Sequence, residues 1–160
     1  MRPTVRFLFA HPAHFVALGF GSGLAPKGPG TAGTLAAWLL YPILRAPLSD
    51  AVFLLFLLAA FIFGIIAADR TGQALGVSDH GAIVWDEMVP FWLVLFFTPA
   101  SIAWQFAAFV LFRLFDIVKP PPIGWADRRV KGGFGVMLDD VIAAGYTLLV
   151  LAVVLRVMEA

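Results

Sequence analysis

The chain has 160 residues, 61% of them hydrophobic and 13% charged, with a formal net charge of +1 and a mean hydropathy of +0.93. A soluble domain is about 45–50% apolar, so this composition excludes an ordinary soluble globule and points to one integral membrane domain, residues 1–160. The near-neutral charge gives no basic field for nucleic acid, and the lack of cysteine removes disulfides and thiolate metal sites, leaving oxygen and histidine as metal ligands.

The N-terminal "MRPTVRFLFAHPAHFVALGF" is basic and then apolar, but His11, Pro12 and His14 interrupt it, so it is not expected to be a cleaved signal. After it comes "GSGLAPKGPGTAGTL", Gly21 to Leu35, a turn-rich loop with one lysine and two threonines. "TLAAWLLYPILR" (Thr34 to Arg45) has a helical pattern, is short and contains Pro42. Ala51 to Ala68 carries no charge and approaches the roughly 20 residues that cross a bilayer. The apolar region Met88 to Phe112 is broken at Thr98 to Ser101, "TPAS". Pro99 disfavours helix at Thr98 and lacks a backbone donor, so two helices joined by a tight turn are expected, crossing twice or forming a re-entrant pair. Val141 to Met158 is a further apolar helix.

If each apolar segment crosses, Arg2, Arg6, Lys27, Arg70, Arg113, Lys119, Arg128, Arg129 and Lys131 share one side and only Arg45 and Arg156 the other. The positive-inside bias makes the first side cytoplasmic. The tryptophans Trp38, Trp92, Trp104 and Trp125 suit interfacial anchoring. The acids segregate too: Asp69, Asp79, Asp86, Glu87, Asp116, Asp127, Asp139 and Asp140 lie on the basic side, Asp50 and Glu159 elsewhere. The positive-inside bias says little about acids, so a polar site at the membrane surface is required.

"WDE" and "LDD" stand just before apolar helices, where an Asp can cap free N–H groups. Capping accounts for one acid per pair better than two, since adjacent carboxylates repel. Asp69 and Asp116 follow apolar helices, at the unfavourable negative end, and call for a cation; Arg70 and Lys119 are the nearest in sequence. Carboxylates without cysteine favour magnesium, calcium or manganese over zinc. A phosphate bridged to such an ion also needs donors. Lys27, Thr31, Thr34 and the turn glycines Gly28 and Gly30 can supply them, although no G-K-[ST] follows the glycines. In "FRLFDIVKPPPIGWADRRVKGGFGVMLDD", Pro120 to Pro122 are expected to be extended, and "KGGFG" to form a flexible turn before the acidic pair. His80 is an acid or base candidate by its ordinary pKa, with a structural role as the plainer reading.

The blocks "GFGSGLAPKGPGTAGTL", "DHGAIVWDEMV" and "FRLFDIVKPPPIGWADRRVKGGFGVMLDDVIAAG" together resemble the phosphatidylglycerophosphatase A family of bacterial magnesium-dependent lipid phosphatases. The resemblance implies removal of the terminal phosphate from phosphatidylglycerophosphate, yielding phosphatidylglycerol at the bacterial inner membrane. It marks Asp79, Asp86, Glu87, Asp116, Asp139 and Asp140, with Thr31 and Lys119, as the matching site positions. Pro90 stands where the family has glycine, and Thr34 where it has serine.

The expectation is an all-α, polytopic membrane bundle with short or broken helices, whose polar loops converge on the cytoplasmic face. Asp86, Glu87, Asp139 and Asp140 would hold Mg2+, Lys27, Thr31, Lys119 and Arg128 would bind the phosphate, and Asp79, Asp86 or Asp116 would act in catalysis, with water attack and a phospho-aspartate both open. The expected partners are the lipid substrate and the bilayer, with the oligomeric state left open. The rival readings are a phosphatase for another lipid phosphate, such as phosphatidic acid, and a small cation-binding transporter.

Overall fold

The computed structural model describes residues 2–159, which form helices and turns and no strand. In chain order they are α1 (Val5–Leu8), α2 (Pro12–Ala17), a 3-10 turn (Gly19–Leu24), α3 (Pro29–Arg45), α4 (Asp50–Leu75), α5 (Trp85–Phe97), α6 (Ile102–Val118), α7 (Ile123–Arg129) and α8 (Gly132–Met158).

Local signals set most boundaries. Gly28 adopts a left-handed conformation (φ 56°) ahead of Pro29, the first residue of α3, where a missing N–H costs no helical bond. Ser49 accepts from Val52 N–H at the start of α4, and left-handed Gly76 ends it. The break at Thr98–Ser101 falls where the sequence predicts it, with Ser101 capping α6 through Trp104 N–H.

Helix α5 is the central post. Ten of its residues are buried, among them Trp92 and Phe91, and α3, α4, α6 and α8 surround it. Trp92 Nε1 donates to Ala37 O (2.8 Å) and Trp85 Nε1 to Ala60 O (3.0 Å), tying the post to α3 and α4. Trp92 is therefore a core residue, not the interfacial anchor expected from sequence: its N–H finds a carbonyl inside the bundle. Pro90 sits buried within α5.

Helices α4 and α8 are long and apolar enough to cross a membrane, yet only 33% and 22% of their most apolar windows are buried. Leu55, Leu58 and Ile62 of α4 and Leu149 and Val153 of α8 point outward. A soluble core helix would hide such surface; left exposed on two long apolar helices, it fits membrane association.

Three loop expectations are corrected. "KGGFG" is not a turn: Gly132 to Gly135 form the first turn of α8. A side chain on Gly133 would collide with the Ile65 carbonyl, so glycine there lets α8 close onto α4. Pro120–Pro122 is not an extended rod but a turn leading into α7, with a cis Pro121–Pro122 bond. Asp139 and Asp140 are not caps, lying seven and eight residues inside α8.

Candidate active site

Three helices bring one carboxylate each to a common point. Glu87 from the first turn of α5, Asp116 from the last turn of α6 and Asp140 from α8 place one oxygen apiece within 4.8 Å of the others, and all three are buried. Asp86 and Asp139 are buried as well, and Asp140 lies within electrostatic reach of both. Glu87 and Asp116 come from helix ends, whereas Asp140 lies two turns inside α8. In α5 the acids occupy the second and third positions, where the exposed N–H groups and the dipole favour negative charge.

Two cations answer these five acids. Arg113 Nη1 bridges Glu87 Oε1 (2.9 Å) and Asp116 Oδ2 (2.7 Å), the latter one helical turn away. It also reaches Thr34 Oγ1 at 3.4 Å, while Thr34 donates to Gly30 O (3.0 Å). Lys119 Nζ meets Asp139 Oδ2 (2.5 Å) and Asp127 Oδ1 (2.9 Å) from a left-handed position (φ 47°) that closes α6. Burial disfavours its ammonium, but hydrogen bonds to Asp139 and Asp127 outweigh that and raise its pKa.

Charge and hydrogen bonding remain incomplete. Asp86 Oδ1, Glu87 Oε2 and Asp140 Oδ1 are buried with no hydrogen-bond partner among the described residues. A buried carboxylate oxygen without a partner costs free energy unless it is protonated or meets a cation. The donor set is hard oxygen from several carboxylates, which fits Mg2+, Mn2+ or Ca2+. Gly30 serves the same place: a side chain there would strike the Glu87 carboxylate, so the start of α3 can lie directly against it.

The positions marked by sequence separate into groups. Asp86, Glu87, Asp116, Asp139 and Asp140 come together, with Lys119 bound to Asp139. Asp79 is exposed on the loop before α5, within electrostatic reach of Asp86, Glu87 and Asp139. Lys27, Thr31 and Arg128 are exposed. His80 Nδ1 accepts from Ala82 N–H (3.1 Å). Asp69 is met by Gln73 and by the Gly133 N–H, not by Arg70, and the partner of Asp116 is Arg113, not Lys119. By sequence position Arg113 is one of the topological charges; its role as the bridge between two acids is visible only in the structure. The signal for its pairing with Asp116 was available in "RLFD", an Arg and an Asp three residues apart on one helix face.

An all-helical, membrane-associated bundle that gathers five carboxylates and two cations in one buried place has the equipment for phosphoryl transfer, and its class is that of a phosphatase. Residues 15–155 match the family model of phosphatidylglycerophosphatase A, and the chain belongs to that family. It is 45% identical over 150 residues to phosphatidylglycerophosphatase A of Haemophilus influenzae, covering 92% of this chain and 91% of the relative. The Escherichia coli phosphatidylglycerophosphatase A is 43% identical over 143 residues, covering 86% and 80%. A Bacteroides thetaiotaomicron protein whose name proposes phosphatidylinositol-3-phosphatase activity is 41% identical over 145 residues, covering 86% and 90%. No solved structure matches this chain.

Proposed function

We infer that the chain is a Mg2+-dependent hydrolase of phosphatidylglycerophosphate, releasing inorganic phosphate and phosphatidylglycerol at the cytoplasmic face of the bacterial inner membrane through a multi-pass bundle. The observation that carries this reading is the buried Glu87, Asp116 and Asp140 cluster with its unpartnered oxygens, in a chain of this family. The basic residues on the side of the cluster support the cytoplasmic orientation.

Glu87, Asp116, Asp140 and Asp86 would hold the ion. Bound there, Mg2+ supplies neutralisation of the phosphoryl oxygens and orientation of the attacking oxygen. Arg113 pairs with both Glu87 and Asp116, and its buried Nε–H, without a hydrogen-bond partner among the described residues, is a donor for a phosphoryl oxygen. Lys119 fixes Asp139 and adds positive charge beside the cluster. Lys27, Thr31 and Arg128 are rim donors for the arriving phosphate. Asp79, facing solvent at the edge of the cluster, takes the proton of an attacking water as the bond from phosphorus to the glycerol oxygen breaks, and that oxygen takes a proton from solvent water.

The test is phosphate release by purified protein from phosphatidylglycerophosphate, phosphatidic acid and phosphatidylinositol 3-phosphate, with Mg2+ or with chelator. The reading expects release in Mg2+ only, with the first lipid preferred, and no release by Asp140→Asn. Preference for either of the other lipids moves the assignment to that headgroup, in line with the name of the Bacteroides relative. Undiminished release in chelator removes the metal.

A further inference from the structure

A cation bound for the buried carboxylates must reach them from solvent. The seam between α4 and α8 is closed to it: a side chain on Gly64 would stand 2.7 Å from Trp85 Cδ1 and 2.9 Å from Met137 Cε, and one on Gly133 would collide with the Ile65 carbonyl. A cavity of about 320 Å³ beside the first turn of α3 has Arg2 and His80 in its walls and no carboxylate among the described residues. A smaller one, of about 180 Å³, lies between the loop before α5 and the junction of α7 with α8. The loop contributes Ser78 and Asp79, the end of α7 contributes Asp127 and Val130, and α8 contributes Gly135 and Val136. Ser78 and Asp79 are exposed, so this cavity opens to solvent.

Three contacts join the smaller cavity to the acidic cluster. Lys119 Nζ meets both Asp127 Oδ1 in its wall (2.9 Å) and Asp139 Oδ2 (2.5 Å), so one ammonium separates the two carboxylates. Gly135 and Val136 precede Asp139 by four and three residues in α8 and share its helix face. Asp79 lies within electrostatic reach of Asp139, Asp86 and Glu87. Past Asp139 stand Asp86 and Asp140, each with a buried oxygen that lacks a hydrogen-bond partner among the described residues.

We propose that this polar vestibule is the route by which a hydrated divalent cation enters the acidic cluster from solvent. This rests on the Mg2+-dependent reading above. Mg2+ sheds its hydration shell reluctantly and commonly keeps several waters. A water takes about 30 Å³ of liquid, so a cavity of about 180 Å³ has room for several. Its walls carry the carboxylates of Asp79 and Asp127, and the ammonium groups nearby are already engaged: Lys119 by Asp127 and Asp139, Lys131 by Asp127 O (3.0 Å). A cleft lined in this way concentrates cations at its mouth. The vestibule is a passage and not the resting place, because the acids whose oxygens converge tightly enough to hold the ion are Glu87, Asp116 and Asp140. Groups lining a passage set the rates of entry and exit together, while the Kd belongs to the site at its end.

The experiment measures how fast Mn2+ binds the purified protein, by freeze-quench electron paramagnetic resonance of the free ion, and how fast excess Mg2+ displaces it. Ser78→Trp and Val130→Trp narrow the vestibule from two of its walls. Gly81→Trp, on the same loop but outside the vestibule, is the control, since an added Cβ there meets nothing within 4 Å. Each vestibule variant is expected to slow binding and release several-fold and by the same factor, with Kd unchanged and Gly81→Trp matching the unaltered chain. Asp127→Asn removes a wall charge without adding bulk; it is expected to slow binding by up to about tenfold at low salt, with the difference lost at high salt. Should one tryptophan variant fail to fold, the other and Asp127→Asn carry the test. Unchanged rates in these variants, or a change in Kd through release alone, would overturn the route while the metal site stands. A lack of saturable Mn2+ binding by the unaltered chain would instead overturn the metal reading.

Discussion

The α4–α8 and α3–α6 seams flank the same central helix but are held together differently. Glycines at 64 and 133 let α4, α5 and α8 meet through backbone and large side chains at the end nearest the acids. Across the α3–α6 seam the hydrogen bonds are the side-chain links Arg113–Thr34 and Trp38–Gln105. In lipid, apolar surface gives no drive for helix association, so close packing carries the fold and hydrogen bonds adjust it. One seam is thus held by close packing and the other by a pair of side-chain hydrogen bonds.

Breaking the closed seam should have the largest effect. Gly133→Leu forces a side chain into the Ile65 carbonyl; overpacking of this kind costs about 1–3 kcal/mol or more, and the variant is expected to lose most of its folded yield in detergent, read by size exclusion. Gly30→Ala should separate function from fold. Its methyl displaces the Glu87 carboxylate, so turnover should fall by about a hundredfold with the thermal midpoint little changed. A matching fall in thermal stability would show instead that Gly30 is chiefly a packing residue. Gln105→Ala removes the partner of Trp38 and should cost about 0.6 kcal/mol, seen as a small drop in melting temperature. Gly145→Ala is a similarly small change of opposite sign. Nothing lies within 4 Å of the added methyl, so stability should change by less than about 1 kcal/mol, in the stabilising direction; a large loss there would mean that α8 is covered by a second chain.

Much of this was legible in the residues. Pro99 announced the break between α5 and α6, uncharged runs located α4 and α8, and the "WDE" and "LDD" pairs marked two of the three helices that build the cluster. What periodicity cannot report is which residues meet across helices. "KGGFG" looks like a flexible turn because glycine usually marks one, whereas here the glycines admit the Ile65 carbonyl and the helix continues. With α8 starting at Gly132, Asp139 and Asp140 lie within it rather than at its cap. Trp92 looks interfacial by type, but its N–H is satisfied by Ala37 O. Arg113 was hidden because a lone arginine near the end of an apolar helix already has an explanation in membrane topology.

The account turns on Glu87, Asp116 and Asp140 forming a cation site. The most direct measurement is Mn2+ binding to purified protein, followed by electron paramagnetic resonance of the free ion, for the unaltered chain and for Asp140→Asn. Saturable binding by the unaltered chain, displaced by Mg2+ and lost in a folded Asp140→Asn, is the predicted result. Equal binding by both would contradict it, placing the ion elsewhere and leaving the buried acids without the charge they require.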